Sequence, residues 1–105
     1  MRILLDHCTP APLRRHLAGH QVETAYEQGW SPLSNGELLA AAEQDGYQLL
    51  ISTDQNLRYQ QDLANRQLSI IVLLSTSWPR IQVRVSDIQT AVAEISQGDY
   101  VEISV

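Results

Sequence analysis

Short apolar runs alternate with helix-like segments along this chain, and this alternation is the feature that most restricts its fold. Each run is a strand in length and is bounded by turn residues. The predicted strands are residues 2–5, 21–25, 48–52 and 69–74, with a last strand at 100–105. Strands that alternate with helices are typical of α/β domains with a mainly parallel sheet. The sequence therefore predicts an α/β fold.

The predicted helices begin and end at recognisable signals. Thr9 and Pro10 open a helix that Gly19 ends. Ser34 or Asn35 caps an alanine-rich helix over residues 37–45, which Gly46 closes. Two further helices are predicted at residues 56–64 and 86–96. Residues 28–34 form a polar connection between these elements, long enough to have a functional role.

The order of the strands follows from the handedness of their connections. Because strand-helix-strand crossovers are right-handed, the predicted sheet order is 2-1-3-4, with a switch point between strands one and three. The last strand either adds beside strand four or pairs antiparallel at the edge. Val101, Ile103 and Val105 alternate with polar residues, which favours an edge strand with one face in water.

Composition narrows the possible classes of protein. The chain has 105 residues, enough for one domain over residues 1–105. It has a net charge of -5, and all seven basic residues are arginine. We expect a cytoplasmic protein without a membrane span, since the apolar runs are too short for one. A single cysteine, Cys8, excludes an internal disulfide and a structural zinc site. We expect this cysteine to be partly buried and unreactive, with a reactive thiol beside Asp6 as the alternative.

Three acidic residues follow predicted strands or open a helix. Asp6 follows strand one, Asp54 follows strand three, and Glu37 lies in the first turn of the second helix. Ligands of open parallel sheets bind beyond the carboxyl ends of the strands. Gathered carboxylates repel one another, so such a cluster favours a cation or substrate site. The alternative is that each acid only stabilises a helix N-terminus.

Five motifs together resemble the short PIN-like domains, compact relatives of the toxin-type PIN ribonucleases. They are Ile3-Leu4-Leu5-Asp6-x-x-x-Pro10, Gly19-His20-x-Val22-x-Thr24, Gly29-Trp30, Asn35-Gly36-Glu37-Leu38-Leu39 and the run Thr53-Asp54-Gln55-Asn56-Leu57-Arg58-Tyr59-Gln60-Gln61. The resemblance covers residues 1 to about 74. It implies a three-layer PIN-like fold and a metal-dependent ribonuclease, the toxin of a toxin-antitoxin pair.

The resemblance also implies the parts of the site. Asp6, Glu37 and Asp54 match the acidic positions, so they are the expected catalytic residues and the expected ligands of Mg²⁺ or Mn²⁺. RNA is the expected substrate and an antitoxin protein the expected partner, while a homodimer is left open. A metal-activated water would cleave the phosphodiester bond.

Two positions depart from the pattern of the family. Relatives commonly have an acid where this chain has His7, and many PIN nucleases have another acid at Asn56. Two fewer negative charges predict weak metal binding with a preference for manganese, or loss of catalysis. His7 and Asn56 are therefore predicted neighbours of the site, together with Asn35 and Thr53.

Arginine and tryptophan side chains are weaker candidates for RNA contacts. Arg14 and Arg15 on the first helix, with Arg58 and Arg66 later in the chain, could form a local basic patch, although scattered solvated arginines are the alternative. Trp30 could stack on a base, although packing of its loop onto the core is the alternative.

Two other functions fit parts of the pattern. A phosphoacceptor receiver domain also has acids after strands one and three, with Ser75 or Thr76 after strand four. That class uses a lysine near the last strand, and this chain has none. A noncatalytic PIN-like interaction module with a decayed site is the second alternative, and His7 and Asn56 favour it.

Overall fold

The computed structural model describes residues 1–57 and 66–105. Within them, five strands form one parallel sheet in the order β2-β1-β3-β4-β5. The strands are β1 (Arg2–Leu5), β2 (Gln21–Thr24), β3 (Leu49–Ser52), β4 (Ser69–Leu73) and β5 (Tyr100–Ile103). The predicted α/β class and strand order are confirmed. Because β5 runs parallel to β4, the antiparallel alternative for the last strand does not occur.

The helices differ more from the prediction than the strands do. Residues Ala11–His16 form a 3₁₀ helix that ends before Gly19, where the sequence predicted a longer helix. Pro10 and Pro12 have no N–H to donate, and this short segment closes instead through tighter bonds such as Leu13 N–H to the Pro10 carbonyl. Helix α1 (Asn35–Gln44) confirms Ser34 as the N-cap.

Helix α2 (Trp78–Gln82) was not predicted. Its signal is local: Ser77 is at the N-cap and Pro79 lies in the first turn, where proline fits a helix. Helix α3 (Val85–Glu94) corresponds to the predicted helix at 86–96. The helix predicted at 56–64 lies largely outside the described residues.

The sheet is the middle of three layers. On one face, strand residues such as Ile3 and Ile51 pack against the 3₁₀ helix, α2 and α3. On the other, called the α1 face below, strand residues such as Leu4 and Leu50 pack against Leu38, Leu39 and Ala42 of α1. Strands buried on both faces read as continuous apolar runs, as the sequence of β4 does.

Strand β5 closes the sheet with one wet face. Val101 and Ile103 pack against the core, while Glu102 between them is exposed. The predicted edge strand is therefore confirmed. In residues 1–57 and 66–105, no helix has the length and apolar character needed to cross a membrane.

Candidate functional site

Asp6 is buried directly after β1, at the carboxyl edge of the sheet. Leu5 pairs with Ile51 of β3, and the Asp6 N–H donates to the Ile51 carbonyl at 3.1 Å. Asp6 Oδ1 accepts the Cys8 N–H at 3.1 Å, the Thr9 N–H at 3.0 Å and the Thr9 hydroxyl at 2.7 Å. Asp6 thus holds the turn after β1, as aspartates often do.

Ser52, the last residue of β3, links Asp6 to Asp54. The register of the two strands carries Ser52 beside Asp6, and both side chains share the α1 face with Leu4 and Leu50, two residues earlier. The Ser52 hydroxyl donates to Asp6 Oδ2 and accepts the Asp54 N–H at 3.0 Å. The prediction that these two acids follow adjacent strands is confirmed.

Asn35, the first residue of α1, connects the N-terminus of this helix to Asp54. Its Nδ2 donates to Asp54 Oδ2 at 2.7 Å. The other oxygen, Asp54 Oδ1, accepts the backbone N–H of Asn56 at 2.9 Å. Because a carboxylate only accepts hydrogen bonds, the partner fixes the orientation of the Asn35 amide. Both oxygens of the half-buried Asp54 are thereby held in place.

Glu37 is engaged at the N-terminus of its own helix. Its Oε1 accepts the Ser34 N–H at 3.0 Å and its own N–H donates to Ser34 Oγ at 3.4 Å, which together form a capping box. The same Oε1 also accepts the Ser34 hydroxyl at 2.9 Å. The Ser34 N–H, and then the hydroxyl, hold the pKa of Glu37 below its usual value. Among the described residues, the Glu37 side chain forms its hydrogen bonds with Ser34. Glu37 thus stabilises the N-terminus of its own helix, as the alternative interpretation of this acid predicted.

The described residues that could hold a metal at this edge of the sheet are Asp6 and Asp54. Among residues 1–57 and 66–105, no group of three or more His, Cys, Asp or Glu side chains is arranged to hold a metal. Mg²⁺ usually keeps several waters and takes only one or two carboxylates from a protein. Asp6 and Asp54 could supply two such carboxylates, and from the described residues Asp54 accepts two of about four possible hydrogen bonds.

The other predicted neighbours of Asp6 and Asp54 differ in their exposure and their contacts. His7 is exposed in the turn held by Asp6. Thr53 is buried, and its hydroxyl has no hydrogen-bond partner among the described residues. Asn56 touches the site through its backbone N–H to Asp54, while the residue is exposed.

Two arginines of the predicted patch, Arg14 and Arg66, are neutralised by ion pairs. Arg14 pairs with Glu27 through both of its terminal nitrogens, and Arg66 pairs with Glu43 at 2.9 Å. Arg15 is exposed and makes no ion pair with a described residue. Arg58 lies outside the described residues. The described part of the surface thus fits scattered arginines better than a concentrated basic patch.

Trp30 packs onto the core. It lies against the α1-face cluster and meets the Tyr47 ring edge-on, with 6.0 Å between ring centroids. Trp30 therefore packs its loop onto the core, as the alternative interpretation predicted. Stacking of Trp30 on a base stays a prediction.

The thiol of Cys8 is affected by the charges of Asp6 and Asp54. The residue is exposed, although the sequence favoured a partly buried cysteine. Partial desolvation, followed by the charges of Asp6 and Asp54, raises the pKa of its thiol. Less thiolate forms at neutral pH, so an unreactive thiol remains the expectation.

Ser52 and Thr9 are the contributors that the sequence prediction missed. Thr9 donates its hydroxyl to Asp6 and lies near the Ile51 carbonyl, at 3.1 Å. A Ser or Thr three residues after a strand-ending Asp is a usable turn signal. Ser52 could have been found from the register, since it is the residue of β3 that falls beside Asp6.

A separate cavity of about 480 Å³ opens at the opposite, amino edge of the sheet. Its lining includes Tyr47, Gln48, Gln67 and Gln97, and none of the three acids. Ligand sites of parallel sheets lie at the carboxyl edge. The pair of acids is therefore the better candidate site.

Comparisons with protein-family models, with curated proteins and with solved structures find no significant match to this chain.

Proposed function

We propose that this protein is a divalent-metal-dependent ribonuclease of the PIN-like kind. One observation carries the proposal: Asp6 and Asp54 follow adjacent parallel strands at the switch point of the sheet and share the Ser52 hydroxyl. Open parallel sheets bind ligands at that point. The resemblance of the sequence motifs to PIN-like domains supplies the choice of reaction.

The residues of the chain would divide the work as follows. Asp6 and Asp54 would hold one Mg²⁺ or Mn²⁺. Ser52 fixes Asp6 from the strand side, and Asn35 fixes Asp54 from the helix side. A bound ion would activate a water for attack on the phosphodiester and offset the negative charge that develops on the phosphate. The buried strand ends keep both carboxylates in one geometry, so little reorganisation is needed.

The expected partners follow from the same proposal. The net charge of -5 and the ion-paired Arg14 and Arg66 leave little positive charge to attract RNA. RNA binding should therefore depend on the metal. We propose that the protein is a cytoplasmic toxin and that an antitoxin protein binds it. Purification of the protein should also test whether it forms a homodimer.

The test measures metal binding and cleavage in the same preparations. Calorimetric titration should show Mn²⁺ binding to the wild type, tighter than Mg²⁺, and Asp54→Asn should weaken it at least tenfold. Cleavage of a mixed single-stranded RNA pool should need Mn²⁺ and stop in EDTA. Asp87→Asn, a change at an exposed acid of α3, is the matched control and should behave as the wild type. Equal cleavage by wild type and Asp6→Asn would identify a contaminating nuclease.

A second candidate, a noncatalytic PIN-like interaction module, is favoured by specific contacts. Asp6 is already satisfied by donors from Cys8, Thr9 and Ser52, and Glu37 closes a capping box. These carboxylates therefore need no cation to be stable. A folded wild type that neither binds Mn²⁺ at millimolar concentration nor cleaves RNA would contradict the enzyme and favour this candidate.

A further inference from the structure

We infer that Asn35, and not Glu37, is the residue through which helix α1 acts on the site. Its amide positions the Asp54 carboxylate, and because it is neutral it adds no negative charge to Asp6 and Asp54, the two acids that the described residues place after adjacent strands. The inference deepens the proposed ribonuclease and rests on it for its catalytic meaning, but the contact itself can be tested without RNA.

The first step of the argument is geometric. Asn35 and Glu37 are two residues apart on α1, so they point in different directions around the helix. Asn35 donates to Asp54 at 2.7 Å, whereas Glu37 bonds to Ser34. Only one of the two polar side chains of this turn can face the strand ends, and the structure has Asn35 there.

The second step concerns hydrogen-bond polarity. Asp54 Oδ2 needs a donor when no ion is present, because an unsatisfied, half-buried carboxylate oxygen is unfavourable. An amide provides that donor, and a carboxylate at position 35 would not. Asn35 thus stabilises the pair Asp6 and Asp54 when no ion is bound, and it adds no negative charge to that pair. A low negative charge agrees with a weak metal site.

The third step predicts what a charge at this position would do. In Asn35→Asp the donor is lost, and two carboxylates meet across the contact that now measures 2.7 Å. Their repulsion should lower the melting temperature in EDTA. A divalent ion between the same oxygens would offset it, because the site would then offer three carboxylates.

The experiment compares melting temperatures with EDTA and with Mn²⁺ alone, in the absence of RNA. Asn35→Asp should melt lower than the wild type in EDTA, recover in millimolar Mn²⁺ and bind Mn²⁺ at least tenfold more tightly. Gln44→Glu is the matched control: it makes the same amide-to-acid change on an exposed residue at the other end of α1. It should show no gain in Mn²⁺ affinity. Destabilisation of Asn35→Asp that Mn²⁺ does not reverse would overturn the inference.

A second measurement keeps the inference testable if Asn35→Asp does not fold. The side-chain amide signals of Asn35 in a ¹⁵N correlation spectrum should move in Asp54→Ala and stay in place in Glu37→Gln. Unmoved signals in Asp54→Ala would overturn the contact. Failure of the proposed function gives a different result. A wild type that neither binds Mn²⁺ nor cleaves RNA would contradict the ribonuclease, but the Asn35 amide signals and the response of Asn35→Asp to Mn²⁺ could still be measured.

Discussion

Ser52 illustrates at the scale of one residue how a fold can connect two acidic residues that follow adjacent strands. One hydroxyl donates to Asp6 and accepts from the backbone of Asp54, so it serves both acids at once. The residue is almost fully buried, at 1% exposure, and water therefore cannot replace it easily. The stability of the site and its geometry depend on the same atom.

We expect Ser52→Ala to destabilise the protein by about 1–3 kcal/mol, because it leaves a buried carboxylate oxygen and a backbone N–H without their partner. Urea unfolding of the two proteins at pH 7 measures the difference. Ser86→Ala, at an exposed serine of α3, should change the free energy of unfolding by less than about 0.5 kcal/mol. Equal stability of Ser52→Ala and wild type would contradict the hydroxyl bridge.

At the scale of elements, the first turn of α1 combines capping with positioning. Ser34 and Glu37 cap each other, and Asn35 between them turns to Asp54. The sequence predicted the helix and its cap correctly because capping depends on residues three apart. It could not decide which polar residue of this turn reaches the sheet, since that depends on how the helix is rotated against β3.

Glu37→Gln should keep the capping box, because the amide oxygen can still accept from Ser34, and Mn²⁺ affinity should be unchanged. Glu37→Ala removes the acceptor and should lower the melting temperature. Thermal melting followed by circular dichroism, with Mn²⁺ titration of each variant, measures both effects. A large loss of Mn²⁺ affinity in a well-folded Glu37→Gln would mean that Glu37 leaves its cap and serves as the third ligand.

At the scale of the whole molecule, Tyr47 couples stability to alkaline pH. The side chain is buried at 4% exposure, accepts a hydrogen bond from Gln28 at 2.9 Å and has Arg2 over its ring. Burial, and then the nearby Glu23, raise the pKa of Tyr47 from 10 to about 12. The folded state thus retains the phenol proton at pH values where the unfolded chain has lost it.

The stability that this proton provides is present below pH 10 and is lost as the pH rises to about 12. Between pH 9 and pH 11, roughly half of that range, the wild type should lose about 1–1.5 kcal/mol more than Tyr47→Phe, which has no proton to release. Urea unfolding at pH 9 and pH 11 measures the difference. Tyr26→Phe, at a residue that is 79% exposed, should follow the wild type. Parallel pH dependence in Tyr47→Phe would show that burial does not hold this proton.

The sequence by itself determined the strands, their order and the adjacency of Asp6 and Asp54. Strand periodicity is local, and the handedness of crossovers leaves few possible orders for alternating strands and helices. The 3₁₀ helix and α2 were harder to predict because short helices depend on packing more than on intrinsic propensity.

Only the tertiary structure decided which polar atoms meet at the site. The bridge through Ser52 depends on the register of β1 against β3, and a shift of one residue would move that hydroxyl to the opposite face. The choice of Asn35 over Glu37 depends on the rotation of α1, which packing of Leu38, Leu39 and Ala42 against the sheet fixes. Contacts between residues distant in sequence set both, so no local pattern could predict them.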